Sequence, residues 1–154
     1  MQALIIFFAE YFGYILLAFL IFLFLKKRSR LLFVQLAAAA ILSRGIITEA
    51  IRLLWDRGRP FAENGFAPLV DHPASPSFPS GHAALFFAIA GVVYAHNQKL
   101  GLLFFAGALL IGIARVLAGL HYGSDIAGGA AVGITSAFLM VQLSKRIWKN
   151  ASSS

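Results

Sequence analysis

Residues 4–25 read LIIFFAEYFGYILLAFLIFLFL, twenty-two positions with a single charge, Glu10. As one α-helix this run rises about 33 Å, enough to cross a hydrocarbon core about 30 Å thick. The rest of the chain agrees. Its 154 residues are 60% hydrophobic and 12% charged, with a mean hydropathy of +0.82, where a soluble domain carries about 25% charged residues. That much apolar surface cannot be hidden in a water-soluble globule of this size, and the same composition excludes disorder. No basic stretch precedes 4–25 and no small-residue cleavage site follows it, which argues for a retained span over a cleaved leader.

Four further apolar runs follow, at about 31–55, 82–96, 100–120 and 125–143. The expected fold is an all-α polytopic membrane bundle of about five transmembrane helices, one integral-membrane domain over 1–154, with its termini on opposite sides. One side receives Lys26, Lys27, Arg28, Arg30, Lys99, Lys145, Arg146 and Lys149; the other receives Arg52, Arg57 and Arg59. The positive-inside tendency makes the first side cytoplasmic. The expected setting is therefore the cytoplasmic (plasma) membrane, with the amino terminus and the long 56–79 loop facing outside, toward the periplasm where one exists. That loop holds or borders all five prolines and is not expected to be helical throughout. The net charge of +7 reads as topology signals and contacts with anionic membrane lipids. No soluble segment is long enough to build a nucleic-acid groove, so no nucleic-acid partner is expected. With no Cys in the chain, disulfides, thiolate catalysis and Cys-based zinc sites are excluded.

Three stretches near the outer side carry polar residues that a span would otherwise avoid: Arg52-LLWDRG-Arg59-Pro60, Pro79-Ser80-Gly81-His82 and Arg115-VLAGL-His121-YGS-Asp125. Charges in or beside spans are costly, which makes them functional candidates. Counted from the inner ends by helical rise, His82 and Arg115 both lie about 8 Å below the outer edge of the core, and Arg52 and Asp125 near that edge. The groups can therefore meet in one shallow, outward-facing pocket within reach of a lipid headgroup.

Arg52, Arg59 and Arg115 gathered there would repel one another unless an anion completes the site. A guanidinium fork suits phosphate because it donates two parallel hydrogen bonds. Ser80-Gly81-His82 at a helix amino terminus offers backbone N–H groups and a positive dipole end to the same anion. His121 and Asp125 are spaced i, i+4 and would share a face on a helical turn. A carboxylate on one imidazole nitrogen fixes the tautomer and leaves the other free as a nucleophile. His82 has no acid within a helical turn and is better suited to protonating a leaving oxygen. Carboxylates for a two-metal site are lacking, so no metal or other cofactor is expected.

These residues resemble the signature of the type-2 phosphatidic acid phosphatase superfamily, which also includes vanadium haloperoxidases. The family pattern is Lys-x6-Arg-Pro, then Pro-Ser-Gly-His, then Ser-Arg-x5-His-x3-Asp. Here its parts stand at 52–60, 79–82 and 114–125 in the right order and spacing, and the resemblance covers about 52–129. Arg52 replaces the usual Lys, keeping charge but changing donor geometry. Ala114 replaces the usual Ser, removing a hydroxyl contact to phosphate. Bacterial members usually have six spans, so five suggest a shortened amino-terminal portion.

The resemblance implies a metal-independent lipid phosphatase or diphosphatase. His121 would attack phosphorus to give a phosphohistidine, Asp125 would support it, and His82 would protonate the departing oxygen and then activate water. Arg52, Arg59, Ser80, Gly81 and Arg115 would hold the phosphoryl oxygens. The partner is then a phosphorylated lipid. Undecaprenyl diphosphate leads, because the pocket faces out and HPASPSFPSGHAAL is similar to bacterial enzymes of that type. Phosphatidylglycerophosphate and phosphatidic acid follow. A non-enzymatic anionic-lipid or phosphate transporter is the contrasting reading, but it would need neither the His121/Asp125 spacing nor His82.

Other polar residues have plainer readings. His72 and His96 read as ordinary interfacial residues, and Glu63 and Asp71 as solvated loop charges. Arg44 falls near mid-membrane, where a pair with Glu10 or Glu49 would relieve its cost, while Glu49 could instead brace Arg52 at i+3. Gly129, Gly133 and the run 37–40 read as helix-packing surfaces. Trp55 and Trp148 read as interface anchors at opposite faces, and the 151–154 tail carries no reading of function.

Overall fold

The computed structural model describes residues 1–27 and 29–151, with side chains described outside 27 and 148–151. Arg28, the Trp148 anchor, the Lys27 and Lys149 side chains and the 152–154 tail therefore lie outside the described residues. Among those described, the chain folds into helices joined by irregular segments, with no strand. They are α1 (Gln2–Lys26), α2 (Arg30–Leu54), the short α3 (Pro60–Asn64), α4 (Gly81–His96), α5 (Gln98–Leu117) and α6 (Gly123–Ala151).

Four of them, α1, α2, α5 and α6, are long and apolar enough to cross a bilayer. Helix α4 has 16 residues, about 24 Å by helical rise, and so falls short of a 30 Å core. The sequence expectation of about five spans holds with this qualification, and the shortfall has a physical use. Helix α4 starts late because Pro79 and the irregular chain before it occupy the outer end of its column. Irregular backbone at that depth is tolerated where it lines a cavity.

The centre of the bundle is α4, packed against α2, α5 and α6 through Leu36, Ala39, Phe86, Ile89, Val92, Val93, Phe104, Ile111 and Val141. Helix α6 approaches α4 most closely because its facing residues are small. A Cβ on Gly129 would stand 2.5 Å from the Ser80 carbonyl oxygen, and one on Gly133 2.5 Å from that of Ala84. No side chain fits there, in keeping with membrane helix packing through small residues.

Two helices contain π-helical turns, Phe7–Tyr11 in α1 and Ile41–Ile47 in α2. Such turns displace the residues around them and are frequent at functional sites. Nothing in the hydropathy pattern announces either one.

The long outer connection is pinned against the bundle. Leu69 N–H donates to the Ala118 carbonyl (3.1 Å), Ser77 N–H to the Arg57 carbonyl (2.8 Å) and Ser77 Oγ to the Gly58 carbonyl (2.9 Å). Ser77 is fully buried. Trp55 is half exposed and packs on Phe78 at 4.9 Å between ring centroids, as an interface anchor would.

Candidate active site

Helix α5 ends where Gly119 takes a φ of +78°, a left-handed conformation that glycine adopts without the penalty of a Cβ. The chain then crosses to α6 through Leu120, His121 and Tyr122. Asp125, in the first turn of α6, accepts the Tyr122 N–H at 2.9 Å, so its carboxylate satisfies the backbone at the mouth of the helix. The same carboxylate accepts Arg57 Nη1 at 2.8 Å and lies 3.4 Å from His121 Nδ1. The expected His121–Asp125 meeting therefore occurs, but by a different route. His121 lies outside any helix, and the two groups face each other across the helix entrance instead of along one helical face.

At the opposite nitrogen of that ring, Arg59 Nη1 lies 3.3 Å from His121 Nε2. A guanidinium can only donate, so Nε2 is an acceptor and the ring proton belongs on Nδ1, toward Asp125. Burial pushes His121 down to about 4, with Arg59 and Arg115 adding to the effect and the Asp125 contact opposing it. The imidazole is therefore neutral at pH 7, with a lone pair on Nε2.

Arg59 is 2% exposed. It donates to the Ser75 carbonyl (2.9 Å), the Leu120 carbonyl (3.0 Å) and Ser75 Oγ (3.1 Å). Burial, with Arg52 nearby, pushes it down to about 10 while Asp125 opposes, so it stays a cation at neutral pH. Arg52 Nη2 donates to the Pro79 carbonyl at 3.0 Å. Arg115 Nη1 donates to the Ala9 carbonyl at 2.9 Å, an acceptor within the π-helical turn of α1. The Nε atoms of Arg52 and Arg115 are buried with no hydrogen-bond partner, as are Thr48 Oγ1 and His121 Nδ1, whose approach to Asp125 is a 3.4 Å contact. Buried donors are nearly always paired, so the two guanidiniums keep donor capacity that the protein does not use.

These groups surround one cavity of about 230 Å³ whose walls include Arg44, Arg52, Arg59, His72, Ser75, Gly81, His82, Arg115 and His121. Of the eight residues expected to form the site, six line this cavity. Asp125 stands behind His121. Ser80 does not line it: its hydroxyl accepts the Ala83 N–H at 3.5 Å, capping α4 from a fully buried position. Its N–H donates to the Asp125 carbonyl at 2.9 Å, joining the start of α4 to the start of α6.

His82 has a second face. It also lines a neighbouring, mostly apolar cleft of about 120 Å³ with Ala9, Glu10, Gly13, Tyr14, Leu17, Leu85, Phe86 and Ile111. The ring thus stands between the cationic cavity and a mostly apolar cleft that Glu10 also lines, between α1 and the α4–α5 pair.

Residues 33–149 match the PAP2 superfamily, the type-2 phosphatidic acid phosphatases. The chain belongs to this superfamily. It is 31% identical over 143 residues to the bacitracin transport permease protein BcrC of Bacillus licheniformis, covering 91% of this chain and 70% of that one. It is 30% identical over 148 residues to the undecaprenyl-diphosphatase BcrC of Bacillus subtilis strain 168, covering 94% and 75%. The crystal structure of Aquifex aeolicus LpxE aligns with a TM-score of 0.77 at 28% identity, over 92% of this chain and 85% of that one. The protein is accordingly a multi-pass membrane lipid phosphatase of the PAP2 type.

Both departures from the PAP2 signature now have a setting. Arg52 bridges Glu49 (3.3 Å) and the Pro79 carbonyl, two contacts that use the reach of a guanidinium fork. Ala114 is 5% exposed and packs with Ala9, Ala118 and Leu120, turned into the bundle.

The structure adds to several plain readings. His72, read as a lone interfacial residue, lines the cavity. Burial lowers it from its usual value, the Pro73 carbonyl opposes, and Arg59, Arg115 and Arg52 add to the lowering. Arg44 pairs with Glu49, one of its two expected partners, and Glu49 also braces Arg52 at i+3 as expected; beyond that reading, the Arg44 side chain lines the cavity. Glu10 is not the partner of Arg44 and lines the apolar cleft instead. Glu63 accepts the Tyr122 hydroxyl.

Arg57 and Ser75 were not singled out by sequence at all. Arg57 also donates to Ser124 Oγ (2.7 Å) and stacks 4.3 Å above the Tyr122 ring. The one available signal for it was a cation inside the first signature stretch. Ser75 has none, because its place depends on how the loop closes.

Proposed function

We propose that this PAP2 phosphatase removes the terminal phosphate of a polyprenyl diphosphate, undecaprenyl diphosphate foremost, at the outer face of the cytoplasmic membrane, without a metal. The observation that carries this reading is the position of His82 between a cationic cavity and a mostly apolar cleft. A lipid phosphate has that same division, with the scissile bond at its boundary.

In this reading the 1–154 chain works as one domain. The terminal phosphoryl group enters among Arg52, Arg59 and Arg115, beside the backbone at Gly81, and satisfies the two buried Nε donors. Arg59 turns from His121 Nε2 toward the phosphoryl oxygens, exposing the lone pair. Nε2 attacks phosphorus while the bridging P–O bond breaks, and His82 gives its proton to the departing oxygen. Asp125 holds the Nδ1 proton and offsets the positive charge that develops on the ring. Water then attacks the phosphohistidine with His82 as base, and inorganic phosphate leaves. The arginines act on charge spread over the equatorial oxygens. Ser80 contributes by capping α4, so that Gly81 and His82 are presented in a fixed first turn.

Metal independence is supported by the donor set. Among the described residues no group of three or more His, Asp or Glu is placed to hold an ion, and the Asp125 carboxylate already serves Arg57 and the Tyr122 N–H. The outward facing is supported by the excess of Lys and Arg at the opposite side. The relative named a diphosphatase supports the substrate. The one named a permease does not favour transport here, since anion binding alone gives no use for a His121–Asp125 pair.

The test is phosphate release from detergent-solubilised protein over polyprenyl diphosphate, phosphatidylglycerophosphate and phosphatidic acid, with and without chelator. Highest kcat/KM on the prenyl diphosphate, undiminished by chelator and inhibited by vanadate, is expected. A preference for a phosphoglycerolipid, or loss of activity with chelator, overturns the corresponding part.

A further inference from the structure

Arg44 takes no part in the reaction above, yet its side chain is 43% exposed and reaches the cationic cavity. It sits about two turns before Arg52 on α2, about 12 Å nearer the membrane centre by helical rise. The π-helical turn Ile41–Ile47 carries it. A Cβ on Gly81 would collide with the Arg44 side chain, so that chain lies directly against the first turn of α4, next to His82. An ion pair with Glu49 compensates its charge but leaves guanidinium donors free, because Glu49 is shared with Arg52.

The cavity therefore holds more cationic groups than one phosphoryl group requires. Arg52, Arg59 and Arg115 suffice for a single PO₃ unit, and Arg44 is the extra cation on the membrane-centre side. We propose that Arg44 is a specificity-determining residue that binds the second, non-transferred phosphate of a lipid diphosphate. This deepens the diphosphatase reading and rests on it. In a lipid diphosphate the phosphate joined to the chain lies deeper in the bilayer than the terminal one, and Arg44 is the deeper arginine. When the bridging bond breaks, its electron pair stays on the bridging oxygen and charge accumulates on this inner phosphate. A guanidinium there lowers KM and also raises kcat by stabilising the leaving group. A lipid monophosphate has no group to place against it.

The experiment compares farnesyl diphosphate with farnesyl monophosphate in detergent micelles, for wild type, Arg44→Gln and Arg44→Lys. The readout is the ratio of kcat/KM for the two substrates, which cancels losses shared through misfolding. Wild type is expected to favour the diphosphate. Arg44→Gln is expected to lower the ratio at least tenfold, and Arg44→Lys, which keeps the charge and the Glu49 pair, to lower it less. If Arg44→Gln unfolds the protein, Arg44→Lys alone decides, with inhibition by inorganic pyrophosphate weakened more than inhibition by orthophosphate. An unchanged ratio in both variants, with activity on the two substrates falling together, overturns the assignment. Wild type without preference for the diphosphate overturns the underlying diphosphatase reading instead, whatever the variants do.

Discussion

The two ends of the helix bundle treat buried polar groups in opposite ways. At the inner end, Gln35 Nε2 donates to Ser144 Oγ at 2.6 Å and Gln35 Oε1 lies 2.5 Å from His96 Nε2. Gln35 is 1% exposed, and both its amide atoms are used by the protein. At the outer end, Arg52 and Arg115 each leave a buried Nε unpaired, and Arg59 spends a donor on His121. The inner amide is satisfied by neighbouring side chains, whereas the outer group is cationic and incomplete. Polar residues at membrane depth are thus ambiguous as a class. Whether the protein alone satisfies them separates a structural tie from a binding site.

Substitutions at the two ends should separate cleanly. The largest effect is expected at His121: His121→Ala removes the attacking nitrogen and should lower kcat by about 10⁴ or more, measured as phosphate release. His82→Ala should cost about 10²–10³ on a lipid substrate and markedly less on p-nitrophenyl phosphate, whose leaving group needs no proton. Equal losses on both substrates would remove His82 from the leaving-group side.

The acid limb of kcat/KM tests the environment of His121. With that group held at about 4 by burial, activity should persist well below pH 6.5 and fall near pH 4, where the ring takes a proton and its lone pair is lost. In the same window the unfolded chain binds this proton and the folded chain refuses it, so stability should decline as pH falls from 6.5 toward 4. An acid limb centred at 6.5 would mean that the ring is solvated. The smallest effect on chemistry is expected at the inner end. Gln35→Leu should lower stability by about 1–2 kcal/mol, read as a shift in thermal midpoint, with kcat per folded molecule within about twofold.

The same contrast explains what could be read from the chain. The spans and the three signature stretches were legible because apolar run length and charges at membrane depth are local properties. The cationic cavity followed from helical rise alone for Arg52, His82 and Arg115. The meeting of His121 with Asp125 was anticipated from i, i+4 spacing, yet Gly119 ends α5 and the contact forms across a helix entrance. His72 and Ser75 were not legible, because hydrogen bonds such as Leu69 to Ala118 place their loop and no periodicity encodes them. For Arg44 the pair with Glu49 was legible and the reach into the cavity was not. Counting Cα positions gave its depth but not its direction, and the π-helical turn that carries it turns a long side chain toward Gly81 and the cavity.

The central claim, that His121 Nε2 accepts the phosphoryl group from a substrate held in the cationic cavity, is tested most directly by trapping. Protein mixed with ³²P-labelled prenyl diphosphate, quenched in base within a turnover and digested should carry label on the peptide containing His121, stable in alkali and lost in acid. Label on another residue, or sustained turnover by His121→Ala, would contradict it.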